Sequence, residues 1–317
     1  MFKRILVPLD GSERAEHALP VAARIAAERS IWGDEMRVGL AMMKKKHDDY
    51  QVVPYPKLRR ALAITYRSTQ RKPMIHGLIE VDVTKVRRYL RDHQAKTGES
   101  LSFTAFIITC VAHAVDEKKA VQACRKGRKH LVLFDEVDVA TAIEREVAGL
   151  KQPMVYIIRA ANKKTLREIH HEIRAAQVEA VEQAWEGWGF TFLPLVVFRL
   201  IWPIFWRLLG TSPRVQKKYG GTVGLTSVGM FGKGVGWAIA LPYHTLDVAL
   251  GSIAEKPGVV DGQIAIREYL CMTLSFNHDM IDGAPAARFV QRLKELIEIG
   301  YDLCESEVEY TGIGQSS

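Results

Sequence analysis

The sequence predicts an α/β fold, a mixed sheet flanked by helices, and two stretches near its C-terminal end carry that expectation most directly. Ile264 to Phe276 holds Tyr269, Leu270, Met272, Leu274 and Phe276 in a strand-like run bounded by polar residues. Further on, Phe289, Val290, Leu293, Leu296 and Ile297 fall on one face at intervals of three and four. Arg288, Arg292, Lys294, Glu295 and Glu298 occupy the rest of that surface, the pattern of a helix buried along one stripe.

In chain order the predicted elements begin with a strand at Met74–Val83 and helices at Thr84–Lys96 and Leu101–Val115. A strand at Leu131–Ala142 and a helix at Thr165–Trp185 follow. Four strands come next, at Thr222–Ser227, Val235–Ala240, Thr245–Ile253 and Ile264–Phe276, and a helix at Ala284–Ile299 closes the series. The glycines at 220, 221, 224, 229, 232, 234 and 236 read as turn and bulge residues of a sheet. Their spacing matches neither the Gly-x-G-x-x-Gly of a dinucleotide fold nor a phosphate loop ending in Gly-Lys-Ser/Thr. Asp282 stands where the last helix wants its N-cap, and Pro285 is tolerated in the first turn.

That leaves His278 in a strand-to-helix turn, where a rigid scaffold can present it to a cleft, with Asp282 four residues on. A His-x-x-x-Asp pair is common by chance, and an Asp at a helix start usually does no more than cap. The functional reading is a general base: a neutral imidazole, of ordinary pKa about 6.5, is matched to deprotonating a thiol of pKa about 8.5 near neutral pH. A thiolate attacking a thioester then places negative charge on the carbonyl oxygen, which needs a positioned donor. From the residues alone, Thr226 and Ser227 are equally two polar residues of a strand.

Asn277-His278-Asp279-Met280-Ile281-Asp282-Gly283 resembles the Asp-His-Arg-x-x-Asp-Gly motif of the dihydrolipoamide acyltransferases of 2-oxoacid dehydrogenase complexes, shared in reduced form with chloramphenicol acetyltransferase. Three further blocks are similar to that family in the same order. They are Leu58 to Ala63 at the opening of the catalytic domain, Val139 to Ile143 with Ile158 to Ile169 in its centre, and the Gly-Gly-Thr block from Gly220 to Gly232. Four ordered blocks are far more specific than any one of them.

The resemblance implies a chloramphenicol-acetyltransferase-like fold with coenzyme A as substrate. It makes His278 the base and Thr226 the hydroxyl that stabilises the oxyanion. Asp282 becomes a positioning group paired with an arginine near the start of the domain, here Arg59, and Gly283 supports the motif. A homotrimer or larger assembly is implied, with the site between subunits, so that His278 and Thr226 come from different chains. The chain departs from the pattern at Asp279, where the motif has Arg. No lipoyl domain is recognised ahead of the catalytic region, so a separate lipoylated carrier protein, or another thioester altogether, is expected to bring the acyl group.

At 317 residues, 48% hydrophobic and 25% charged, the chain suits one large domain or two modest ones. The expected division is a strand-helix fragment at 1–30, a linker at 31–50, the catalytic domain at 51–310 and a tail at 311–317. Ile5 to Pro20 resembles the opening of a universal stress protein, of which only the first unit is present, so no ATP binding is expected. No secretory signal is read at the start, because Pro8 and Asp10 interrupt it. Cys110, Cys124, Cys271 and Cys304 are widely spaced, which argues for reduced, mostly buried thiols, against a metal site and for a cytoplasmic setting.

The net charge of +8 invites a nucleic-acid reading. The basic clusters at 44–46, 67–72, 87–91 and 118–130 lack interleaved aromatics on a recognisable module. No nucleic-acid partner is therefore expected, and solvated faces or attraction of the phosphates of coenzyme A account for them better.

Between the helix at 165–185 and the Gly-Gly-Thr block stands a hydrophobic insertion at about 185–210 carrying Trp185, Trp188, Trp202 and Trp206. It approaches the roughly 20 residues of a membrane span. Pro194, Pro203, Arg199 and Arg207 argue against a span, and an interfacial anchor or a contact with a neighbouring subunit through 188–210 is expected instead.

Three functions stay open at this point. They are acyl transfer between coenzyme A and a dihydrolipoyl thiol, acyl transfer to another acceptor, and a non-catalytic membrane-associated assembly subunit.

Overall fold

The computed structural model describes residues 72–127, 129–147, 150–178, 212–228 and 234–303, and of 145–147 and 150–153 the backbone alone. All of them fall in one compact unit spanning Thr65–Ser317. The expected divisions at residues 30 and 50, Arg59, the insertion and Cys304 lie outside the described residues.

The fold is a mixed sheet flanked by helices. Six strands run in the order β1-β8-β7-β6-β4-β5. They are β1 (Met74–Asp82), β4 (Val139–Val147), β5 (Leu150–Ile158), β6 (Val223–Ser227), β7 (Leu246–Val260) and β8 (Gln263–Asn277). The pairings of β4 with β6 and of β6 with β7 are parallel, and the others are antiparallel. A short hairpin of β2 (Cys124–Lys126) and β3 (His130–Val132) stands apart. The helices are α1 (Thr84–Thr97), α2 (Phe103–Glu117), α3 (Leu166–Val178), α4 (Pro213–Gly220) and α5 (Gly283–Ile299).

Side chains alternate along each strand, and the alternation sorts the two sheet faces. Val223 and Leu225 of β6, Leu246, Val248 and Leu250 of β7, and Leu270, Met272, Leu274 and Phe276 of β8 join the apolar core. α2 completes that core with a nearly continuous buried run from Ala105 to Val115, and α5 adds Phe289, Leu293, Leu296 and Ile297, the stripe read from the sequence. Gly224, Thr226, Asp247, Ala249, Thr273 and Ser275 occupy the other face, which is polar.

Local chemistry sets the helix ends. The Ser102 hydroxyl accepts the Ala105 N–H at 3.3 Å to start α2. Gly98 and Gly300 close α1 and α5 in the left-handed conformation, at φ 78° and 76°. Before α1, Asp82 accepts both the N–H and the hydroxyl of Thr84. Burial pushes the Asp82 carboxyl upward, but Thr84 and the Arg267 guanidinium outweigh it and hold the carboxyl below its usual range.

Several expectations are corrected. The run Leu131–Ala142 is broken into β3 and β4, because the chain between them turns to deliver Asp138. The Asp138 carboxylate accepts from Arg159 and the Ala160 N–H, and its carbonyl accepts from Thr222 and Val223. Val235–Ala240 forms no strand: the segment is irregular and meets β7 through its Gly236 carbonyl, which accepts the Ser252 N–H at 3.0 Å. β5 and α4 were not anticipated. Pro153 discourages a strand reading of β5, yet that strand is the sheet edge, where a residue without an N–H is tolerated.

Candidate active site

His278 follows the last residue of β8, and its turn is tightly built. The Asn277 N–H donates to Thr245 O at 2.9 Å, and the His278 N–H donates to Pro73 O at 2.7 Å. The Asn277 carbonyl accepts from Met280 and Ile281, its side chain accepts the Asp279 N–H at 3.1 Å, and Ile281 is buried in the core. The backbone is therefore fixed while the imidazole, 46% exposed, stands free to meet a substrate.

Asp282 is corrected in part. It occupies the N-cap position of α5 in an extended conformation, but its side chain makes no capping hydrogen bond. The carboxylate lies 4.0 Å from His278 Nδ1 and is 85% exposed, so the helix start is held by backbone contacts, with Ala286 N–H donating to Asp282 O. A Cβ added to Gly283 would meet no described residue within 4 Å.

Thr226 sits on β6, on the polar face, and it is partly buried. It pairs with Ala249 of β7, which pairs with Thr273 of β8, five residues before His278. At roughly 3.3 Å per residue along a strand and about 4.8 Å between strands, the two positions are about 19 Å apart within one chain. The fold thus places each candidate on a rigid element but does not bring them together, and a single copy cannot bridge that gap with two side chains.

The Gly-Gly-Thr block is held by close approaches. Gly221 has φ 76°, and a Cβ there would stand 2.7 Å from Asp138 O. Thr222 is fully buried, and its hydroxyl accepts the Asp138 N–H at 3.0 Å. A Cβ on Gly224 would lie 2.1 Å from Asp247 Oδ1 and 2.7 Å from His244 Nδ1.

Those last two atoms belong to a buried pair that the sequence reading missed. His244 Nδ1 donates to Asp247 Oδ1 at 2.7 Å, and its Nε2 donates to Gly220 O at 2.7 Å. Asp247 Oδ2 accepts the N–H groups of Tyr243 and His244. The available signal was two ionisable residues three apart at the mouth of an apolar strand.

Beside this pair, the Lys72 ammonium donates to Tyr243 O. Burial pushes the Lys72 pKa down, and Asp247 opposes that. The thiol of Cys124 donates to Gln216 Oε1 at 2.8 Å and is pushed up by burial. Cys110, Cys124 and Cys271 are buried and unpaired by disulfides, as expected of reduced thiols. His170 and His171 converge on no ligand set, and no cluster that could hold a metal occurs among the described residues.

Comparison with known proteins follows this geometry. The catalytic domain of the 2-oxoacid dehydrogenase acyltransferases matches residues 47–186 and 212–304. The unmatched interval between them falls on the hydrophobic insertion. The chain is 28% identical over 252 residues to the dihydrolipoyllysine-residue succinyltransferase component of the 2-oxoglutarate dehydrogenase complex of Bartonella vinsonii, covering 76% of this chain and 52% of that protein. It is 27% identical over 260 residues to the dihydrolipoyllysine-residue acetyltransferase component of the pyruvate dehydrogenase complex of Zymomonas mobilis, covering 80% and 52%. The chain therefore spans about half the length of the curated relatives it matches. Among solved structures, a truncated catalytic core of the 2-oxoacid dehydrogenase multienzyme complex from Thermoplasma acidophilum shares the fold. It has a TM-score of 0.55 and 21% identity, over 80% of this chain and 100% of that one.

Proposed function

This chain belongs to the 2-oxoacid dehydrogenase acyltransferase family through its catalytic domain, and we propose that it moves an acyl group between coenzyme A and a dihydrolipoyl thiol borne by a lipoylated carrier protein. The observation that carries the reading is His278 held by a fixed turn, half-exposed and ready to meet a thiol.

His278 takes the proton of the attacking thiol, and the thiolate adds to the thioester carbonyl. Thr226 of a neighbouring copy donates to the oxyanion. Collapse of the tetrahedral intermediate breaks the original carbon–sulfur bond, and the departing thiolate recovers the proton from His278. The separation of about 19 Å estimated from the sheet register supports a site shared by two copies, hence a homotrimer or larger assembly. Asp282 is a positioning group in this reading, paired with Arg59 to support the motif.

A second reading keeps the same base but changes the acceptor to another thiol, a hydroxyl or an amine. It is favoured by Asp279, an exposed carboxylate beside the base where the family motif has Arg. The insertion at 188–210 is proposed to make a peripheral membrane contact. The deciding experiment is acetyl transfer from acetyl coenzyme A to free dihydrolipoamide, wild type against His278→Ala. A loss of about two orders of magnitude is expected for removal of a general base. Equal rates in the two proteins would overturn the assignment, and no transfer by the wild type would favour the other acceptors.

A further inference from the structure

The β2–β3 hairpin and α4 wall a cleft of about 920 Å³, within the size range of small-molecule sites. The register of the hairpin sorts its two faces. Cys124 pairs with Val132 and Lys126 with His130, so Lys126, Val132 and, two residues further on, Phe134 share the face that lines the cleft. Phe134 and Pro213 are buried and form an apolar floor, with Arg214 and Lys218 on the α4 side.

Charge on these walls is unbalanced. Five cations line the cleft against two carboxylates, Glu136 and Asp138. Both carboxylates are already engaged: Glu136 pairs with Lys163 at 3.0 Å and Lys217 at 2.9 Å, and Asp138 pairs with Arg159 at 2.8 Å. Arg159 also donates to the carbonyls of Lys217 and Lys218, which ties α4 to the Asp138 turn and fixes that wall. Lys126, Arg214 and Lys218 are exposed, and none of the three forms an ion pair among the described residues. Like charges gathered around one cleft repel each other until an anion enters.

We propose that this cleft binds a phosphorylated small molecule. Lys126, Arg214 and Lys218 meet its phosphate oxygens, and its organic part lies on Val132, Phe134 and Pro213. An inorganic anion would use the cations and leave the apolar floor uncovered. Two sources share this chemistry, the phosphorylated end of coenzyme A and a free organic phosphate. The Thr245 hydroxyl donates to Ala123 O, and Thr245 O accepts the Asn277 N–H, so the hairpin adjoins the turn that carries His278. Binding in the cleft does not depend on the acyl-transfer reading.

The test is titration calorimetry of the full chain with adenosine 3′,5′-bisphosphate, adenosine and inorganic phosphate, at low and high salt. The bisphosphate is expected to bind at least about tenfold more tightly than either of the others, and salt should weaken it. Lys126→Ala/Arg214→Ala/Lys218→Ala raises its Kd at least about tenfold with the circular dichroism unchanged. Arg125→Ala, on the opposite face of the hairpin, leaves the Kd as it was, and so does His278→Ala.

No binding of the bisphosphate by the wild type, or a Kd unchanged in the triple variant, overturns the proposal. So does an equal loss in Arg125→Ala, which would reduce the effect to the general positive charge of the chain. Acyl transfer then identifies the source. A triple variant with raised KM for acetyl coenzyme A but not for acetyl pantetheine, which lacks the nucleotide, assigns the cleft to the coenzyme. Unchanged KM for both, with bisphosphate binding lost, assigns it to a free organic phosphate.

Discussion

His244 donates one ring N–H to the Asp247 carboxylate and the other to the carbonyl of Gly220, each at 2.7 Å. Two strand beginnings are thereby pinned, since Gly220 ends α4 just before β6 and Asp247 is the second residue of β7. The pair is buried, and the space above Gly224 is what admits it. Asp247→Ala leaves a buried imidazole and two backbone N–H groups without their acceptor, and a loss of about 3 kcal/mol or more is expected. Gly224→Ala drives a methyl into the pair and is expected to cost about 1–3 kcal/mol. Urea unfolding measures both. A change below about 0.5 kcal/mol for Asp247→Ala would show that the pair is not structural, and the same variants should lower acyl transfer by displacing Thr226.

The spacing of Thr226 and His278 makes complementation a test of the shared site. Neither His278→Ala nor Thr226→Val alone should transfer acyl groups at more than about one hundredth of the wild-type rate. Refolded together in equal amounts, they form mixed assemblies in which about a quarter of the sites pair an intact histidine with an intact threonine. Recovery to about that fraction is the expected outcome. A mixture no more active than its components would place both residues' work within one copy, contrary to the register of the sheet. His278 is half-exposed, so its alanine variant should unfold at nearly the wild-type urea concentration.

Much of this architecture was legible because local pattern and tertiary outcome agree. The stripe Phe289, Leu293, Leu296 and Ile297 is buried as its period requires, and β6 and β8 carry their apolar residues to the core. What could not be read depends on long-range contacts. Asp138 interrupts a strand-like run because Arg159 and Thr222, distant in sequence, both need it. Val235–Ala240 has strand composition, yet it meets the sheet through the Gly236 carbonyl on Ser252 and the Trp237 indole on Ile79 O, long-range contacts that composition does not show. Asp282 has a capping residue's position without its hydrogen bond, and no local rule shows where an exposed carboxylate turns. His244 and Asp247 are only three positions apart in sequence, but the purpose of the pair appears only when Gly220 arrives beside it.

His170 gives the protein an acid-sensitive joint. It is buried, and its Nδ1 accepts the Ser102 N–H at 3.1 Å, at the start of α2, so that nitrogen must be free of its proton. Burial, aided by the Arg174 charge, pushes its pKa below the usual 6.5. The unfolded chain therefore binds a proton that the folded chain refuses, and stability falls as pH drops below about 6.5 until the folded pKa is passed. Urea unfolding at pH 7 and pH 5 should show this loss, and His170→Gln should make it smaller. An acid slope identical in the two proteins would assign the sensitivity elsewhere.

The β7–β8 hairpin turns at Asp261 and Gly262, with φ of 51° and 78°, and Val260 pairs with Gln263 across them. Both central residues lie in the left-handed region, the geometry of a two-residue type I′ turn, for which Asp-Gly is a preferred sequence. That dipeptide could have extended both predicted strands to their observed length. A Cβ on Gly262 meets no described residue within 4 Å, so the expected cost of Gly262→Ala is that of the left-handed conformation, about 1 kcal/mol. The turn also stands at the far end of β8 from His278, some fourteen residues along a strand, so acyl transfer should be unchanged while the urea midpoint falls. A rate loss in a protein that is still fully folded would show that this hairpin reaches a substrate or a neighbouring copy.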